Sequence, residues 1–269
     1  MTTGVRLRYR IVDVFSDRPL AGNALCVVLD PVPEAVMAAI AREVNLSETT
    51  FPVQTAAGAY DVRIFTPSAE LSFAGHPSLG TAWVLGPNTW AQTSPGATVE
   101  VTADADGAVM TQPDPAFDWL GDHPADELRR ALGVSTTEGA CRAEAAGNAH
   151  IVVPTAAPIE GLQPDLPAIA RVTAGLSATT CAVVRRIDDS HLHVRVFVPA
   201  AGIREDPGTG SAAGPVALLA RQLWGMAPDV LIRQGDEMGR PCRIQVHAEL
   251  GALRVGGRVV ACAEGTFTL

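Results

Sequence analysis

One stretch of this chain occurs twice. Phe65-Thr66-Pro67-Ser68-Ala69-Glu70-Leu71 runs into Ala74-Gly75-His76-Pro77. Phe197-Val198-Pro199-Ala200-Ala201-Gly202-Ile203 runs into Asp206-Pro207-Gly208-Thr209-Gly210-Ser211. Phe, Pro, Ala and an aliphatic residue recur at one spacing. A second pair recurs at a similar spacing: Ala21-Gly22-Asn23-Ala24 before Val27-Val28, and Ala146-Gly147-Asn148-Ala149 before Val152-Val153. Two related halves predict two similar domains facing one cleft, and so an enzyme with a pseudo-symmetric site.

A chain of 269 residues with 47% hydrophobic residues has enough apolar sequence for a large core. Its net charge of −9 argues against a nucleic-acid or anionic-membrane surface. No apolar run is long enough to span a bilayer, and Met1 to Arg6 has no apolar signal core behind it. A cytoplasmic protein is expected. Five cysteines (Cys26, Cys141, Cys181, Cys242 and Cys262) are scattered without metal-finger or redox spacing. Most lie in apolar runs, as buried inert thiols do.

Alternation and turn residues predict strands at Tyr9–Phe15 and Leu25–Leu29, forming a hairpin, then at Ser47–Val53 and Tyr60–Phe65. Val36, Ile40 and Val44 share one face of a helix over Pro33–Val44. Ser78–Leu85 is a helix of small residues with Pro77 in its first turn. Thr98–Thr111 is a hairpin turned at Asp104-Ala105-Asp106-Gly107. Polar, Pro-rich sequence from Gln112 to Pro124 marks the boundary, placing domains at 1–116 and 117–269 with the last strand free to pack back on the first half. Beyond it, helices are expected at Ala125–Leu132 and Pro164–Ala174, and a hairpin at Cys181–Ile187 and His191–Val198. Ser211–Trp224 is apolar or small on nearly every face, the pattern of a buried helix. Strands follow at Val230–Arg233, Arg243–His247, Ala252–Val255, Val259–Ala263 and Thr266–Leu269. Gly133–Asn148 carries no clear period. The pattern is α/β (α+β), a sheet wrapped around a central helix in each half.

Each motif sets a Gly-containing turn before an apolar helix. The first N–H groups of a helix lack internal partners and bind anions such as carboxylates. Gly75 and His76 would present them at one helix, and Gly208, Gly210 and Ser211 at the other, where they would also stabilise a developing enolate. Tight turns alone would equally explain these glycines; their doubling favours the functional reading. Gly208-Thr209-Gly210-Ser211-Ala212-Ala213-Gly214 has neither the spacing of a dinucleotide fingerprint nor the Lys of a P-loop. Glu48, between Leu46 and Phe51, is either a solvated strand-end residue or a buried carboxyl group tuned for acid/base work. His76 and Asp206 hold neighbouring places in the two turns, so a His–Asp pair is one reading; helix caps are the other. The other histidines suggest no ligand set, and no metal cluster is visible.

These residues resemble the phenazine-biosynthesis PhzF family, within the diaminopimelate-epimerase fold. The resemblance spans essentially the whole chain. It rests on Ala21-Gly22-Asn23, Asn45-Leu46-Ser47-Glu48-Thr49-Thr50-Phe51, Arg63-Ile64-Phe65-Thr66-Pro67 with Glu70-Leu71, and Phe73-Ala74-Gly75-His76-Pro77 with Gly80-Thr81-Ala82. It continues through Glu205 to Pro215, Gln234-Gly235, Gly239-Arg240-Pro241 and Glu264-Gly265. Ala24 and Gly208 are small departures, and the loops are somewhat short. The resemblance implies two pseudo-symmetric β-barrel-like halves, each around a central helix, a homodimer and no cofactor. Epimerases of this fold use two opposed cysteines at the helix ends; Ala74 and Pro207 stand in those places here, so two-thiol chemistry is excluded. The resemblance implies instead a single carboxyl acid/base, Glu48, acting with His76 and Asp206. Ser47, Gly75, His76, Asp206, Gly210 and Ser211 would bind a small carboxylated substrate. The implied activity is a proton shift that isomerises trans-2,3-dihydro-3-hydroxyanthranilate in phenazine biosynthesis. A related isomerase or epimerase acting on another carboxylated metabolite is the nearest alternative, and a non-catalytic ligand-binding or interaction protein on the same scaffold is the alternative of a different kind.

Overall fold

The computed structural model describes residues 5–199 and 202–269. Met1 to Gly4 and the motif residues Ala200 and Ala201 lie outside them. The chain forms two compact units, one running to Met110 and taking in Gly256–Leu269, the other Thr111–Val255. In the first lie β1 (Arg6–Val14), β2 (Asn23–Val28), α1 (Glu34–Val44), β3 (Glu48–Ala56), β4 (Ala59–Phe65), β5 (Glu70–Leu71), α2 (Gly75–Leu85), β6 (Asn88–Ser94), β7 (Ala97–Ala103) and β8 (Gly107–Thr111). Then come β9 (Ala116–Trp119), α3 (Asp122–Leu132), β10 (Cys141–Ala145), β11 (Asn148–Pro154), α4 (Leu166–Gly175), β12 (Thr180–Arg186), β13 (His191–Val198), β14 (Ile203–Asp206), α5 (Gly210–Trp224), β15 (Asp229–Gln234) and β16 (Cys242–His247). The last strand is β17 (Arg254–Thr268).

The first unit is a closed barrel. β1 pairs antiparallel with β2, β2 runs parallel to β3, β3 pairs antiparallel with β4, and β4 runs parallel to β6. β6, β7 and β8 form a meander, β8 pairs with β17, and β17 returns beside β1. α2 fills the interior, which is why its sequence is small and apolar all round. A Cβ on Gly80 of α2 would come within 2.7 Å of Leu25 and 2.9 Å of Val14. α1 covers the outside through Met37, Ile40 and Ala41, which join Leu7, Cys26, Phe51 and Phe65 in one core cluster.

The second unit repeats the pairing order. β10–β11 is antiparallel, β11–β12 parallel, β12–β13 antiparallel and β13–β15 parallel, followed by the antiparallel β15–β16. β4 and β13 each carry a short antiparallel return, β5 and β14. The repeat extends to side chains. Arg63 donates to both carboxylate oxygens of Glu70 at 2.7 and 2.8 Å, and Arg195 does the same to Glu205 at 2.9 and 2.8 Å. Each guanidinium also lies over its motif phenylalanine, 5.3 Å from the Phe65 ring centre and 5.2 Å from that of Phe197. α3 and α4 pack on the sheet of this unit over Leu128, Leu132, Ile151, Val153, Ile169 and Val183.

The expected helices and hairpins form, with shifted ends: α2 starts at Gly75 rather than Ser78. β5, β6, β9, β10, β11 and β14 are additions, β10 lying in the stretch that showed no period. The three strands expected at Ala252–Val255, Val259–Ala263 and Thr266–Leu269 are instead one strand, β17. Its glycines mark close approach, not breaks. A Cβ on Gly107 would lie 2.2 Å from the Gly257 carbonyl oxygen, and one on Gly256 would lie 2.6 Å from that of Ala108. Gly107→Ala should therefore cost about 1–3 kcal/mol through backbone displacement, seen as a lowered urea midpoint. Gly175→Ala, in helical backbone with open space around it, should leave the midpoint unchanged or raise it.

Candidate active site

Glu48 opens β3, just after α1 is ended by Asn45 in the left-handed conformation. It is in register with Leu25 on β2. Leu25 packs against α2 at Gly80, so cross-strand neighbours on that face point into the barrel. Two residues along the same face, Thr50 Oγ1 reaches Thr81 Oγ1 of α2 at 2.8 Å. Glu48 is thus carried inward, its side chain only 11% exposed.

His76, the second residue of α2, meets it. His76 Nε2 lies 3.2 Å from Glu48 Oε2, and His76 Nδ1 lies 3.2 Å from Asn23 Nδ2, at the start of β2. Burial lowers the His76 pKa to about 3, so the imidazole is neutral near neutral pH and the 3.2 Å contact is not an ion pair. An amide nitrogen can only donate, so Nδ1 accepts from Asn23 and the ring proton sits on Nε2, facing Glu48. That contact is close but lies off the line of a good hydrogen bond. Asn23 reaches this position because Gly22 turns the chain at φ +71°, where a Cβ would lie 2.4 Å from the Val14 carbonyl oxygen. The Ala-Gly-Asn repeat was the sequence signal for Asn23, which the residue pattern alone did not mark as part of a site.

The start of α2 is held from beneath. Ser78 Oγ donates to the Ala74 carbonyl at 2.8 Å and accepts from Gln92 Nε2 at 2.7 Å, while the Tyr60 hydroxyl donates to Gln92 Oε1 at 2.7 Å. All three side chains are fully buried. Neither Ala74 before α2 nor Thr209 before α5 caps its helix with a side chain. The leading amides, Gly75-His76 and Gly210-Ser211, are therefore donors of the kind that bind anions. Ser47 lies half-buried in the bend before β3.

In the second unit Asp206 ends β14 and is buried. Its Oδ2 accepts a short hydrogen bond from Thr209 Oγ1. Gly210 is buried as the first residue of α5, and Ser211, the second, is half-buried. The structure thus brings Glu48 to His76 and sets Thr209 against Asp206. Within the first unit the His76 imidazole lies beside Glu48 and Asn23. Thr209 was also given no role from the sequence, as was Gln234, whose side chain bonds the 206–209 turn. Burial pushes the Cys26 and Cys181 thiols up to about 12, so they stay protonated and inert. Among the described residues no three His, Cys, Asp or Glu side chains are grouped as metal ligands, and no helix is long and apolar enough to cross a membrane.

The family model for the phenazine biosynthesis-like proteins, PhzC-PhzF, matches residues 12–265. The trans-2,3-dihydro-3-hydroxyanthranilate isomerase of Pseudomonas aeruginosa is 37% identical, over 96% of this chain and 98% of that one. An uncharacterized isomerase of Mesorhizobium japonicum is 31% identical, over 96% of this chain and 97% of that one. The crystal structure of a PhzF-family phenazine biosynthesis protein from Bacillus anthracis superposes with a TM-score of 0.85 at 20% identity, covering 98% of this chain and all of that one. The fold is the one the family resemblance implied, and the chain is an isomerase belonging to the phenazine biosynthesis-like, PhzC-PhzF family.

Proposed function

We propose that this isomerase moves a proton within a small, cyclic, carboxylated substrate, trans-2,3-dihydro-3-hydroxyanthranilate, without a cofactor and with Glu48 as the single acid/base. The observation that carries the reading is the buried carboxyl group of Glu48 against a neutral imidazole. Glu48 takes the proton from the hydroxyl-bearing ring carbon. The electron pair left behind enters the ring's double-bond system, and the same carboxyl returns the proton at a ring carbon further along. The enol so formed becomes the aminoketone, and no atom is gained or lost. One carboxyl group serves both steps if both carbons stay within its reach. His76 sets an uncharged ring N–H near Glu48 rather than a full positive charge. Ser47, the Gly75-His76 amides, Asp206 and the Gly210-Ser211 amides bind and polarise the substrate.

The P. aeruginosa relative supports this substrate. In a second reading the same machinery shifts a proton in another carboxylated metabolite; the M. japonicum relative supports the isomerase class without naming a substrate. A homodimer in the cytoplasm completes the proposal.

Glu48→Gln should keep the fold and its affinity for 3-hydroxyanthranilate, a product-like aromatic, while kcat falls by about 10²–10⁴. Turnover close to that of the unaltered enzyme would remove Glu48 from the mechanism.

His76 also makes a stability prediction. Its folded pKa of about 3 lies below the ordinary 6.5, so its contribution is fully present above about pH 6.5 and is lost as pH falls towards 3. In that window the unfolded chain binds a proton that the folded one does not, a slope approaching about 1.4 kcal/mol per pH unit. Urea unfolding of His76→Gln should be less acid-sensitive between pH 6 and 4.5 by about that slope. Equal slopes would show that His76 is charged in the folded protein.

A further inference from the structure

The side chain of Gln234, at the end of β15, is 1% exposed and spends every polar atom on the turn that leads into α5. Its Nε2 donates to the Asp206 carbonyl at 2.7 Å and to Thr209 Oγ1 at 3.0 Å, while its Oε1 accepts from Thr209 N at 3.3 Å. Rotating the amide by half a turn would set donor against donor and acceptor against acceptor, so its orientation is fixed. The Thr209 hydroxyl accepts from Gln234, and its own proton is therefore directed to Asp206 Oδ2. The chain runs one way, from amide to hydroxyl to carboxylate. The next residue, Gly235, presses the strand end against the same turn: a Cβ there would lie 2.6 Å from the Pro207 carbonyl oxygen.

We propose that Gln234 is a positioning residue for substrate binding: it aims the Asp206 carboxylate and the leading amides of α5 through Thr209. The proposal rests on the reading above, in which Asp206 and those amides contact the substrate. It gives the second unit a counterpart of the buried Tyr60–Gln92–Ser78 relay at the start of α2. β6 and β15, which carry the two glutamines, hold the same place in the two sheets, each parallel to the strand that carries the motif phenylalanine.

The test uses Gln234→Leu, Gln234→Glu and, as a control, Thr173→Val. Thr173 is buried in α4, and its hydroxyl bonds only within that helix, to the Ile169 and Ala170 carbonyls. Two quantities are read on each folded protein: amide hydrogen exchange over residues 206–211 and the Kd for 3-hydroxyanthranilate. Gln234→Leu should speed exchange in that segment and raise Kd by about tenfold or more, since several buried hydrogen bonds are lost. Gln234→Glu should bind weakly at pH 8 and regain affinity as pH falls, when the introduced carboxyl group takes a proton and can donate again. Thr173→Val should do neither. Faster exchange with unchanged Kd would make Gln234 merely structural, and unchanged exchange would remove it from the turn; either overturns the proposal. If the unaltered protein does not bind 3-hydroxyanthranilate, the substrate reading fails instead, and the exchange measurement alone decides whether Gln234 holds the turn.

Discussion

The contact between Glu48 and His76, backed by Asn23, is the constraint on which the first unit depends. It joins the first residue of β3, the second residue of α2 and the first residue of β2. These three meet only if a helix of small residues sits inside the barrel and its N-terminus lies level with the strand starts. The interior packing of Gly80 against Leu25 and Val14 sets that depth. The Tyr60–Gln92–Ser78 relay then fixes the first turn of the helix. A buried polar chain of this kind is costly unless its members are satisfied, and it specifies one arrangement when they are.

The duplication preserved architecture and let the chemistry diverge. Both units keep the same strand pairing, the same arginine–glutamate pair and the same guanidinium over phenylalanine. The register that sets Glu48 beside Leu25 in the first unit sets Thr180 beside His150 in the second. A hydroxyl therefore occupies the place of the carboxyl group, and His150 Nδ1 bonds it at 2.8 Å. Burial holds the His150 pKa down to about 4, so this second imidazole is also neutral near pH 7. Only the first unit carries an acid at this register position, in keeping with a single acid/base.

Strands with apolar alternation and helices with apolar or small faces were legible from sequence, as were the turn glycines and the duplication itself. β6 was not, because its inward residues are Trp90, Gln92 and Ser94; a mostly polar inner face carries no hydrophobic period. β10 turns only Cys141, Ala143 and Ala145 inward, too small to announce a strand. The glycines of β17 looked like interruptions because the reason for them, the crossing with β8, is distant in sequence. Glu48 was visible as a carboxyl group with apolar neighbours, and the family resemblance singled it out. Its partner was not visible: bringing His76 to Glu48 needs the parallel β2–β3 register, which no local pattern encodes.

The most direct test of the account is the protonation of the His76 ring, followed by nitrogen NMR of the histidine-labelled protein from pH 8 to pH 5. The account predicts one neutral tautomer throughout, with the proton on Nε2 facing Glu48 and Nδ1 bare beside Asn23. A doubly protonated ring near pH 6.5, or a proton on Nδ1, would contradict it.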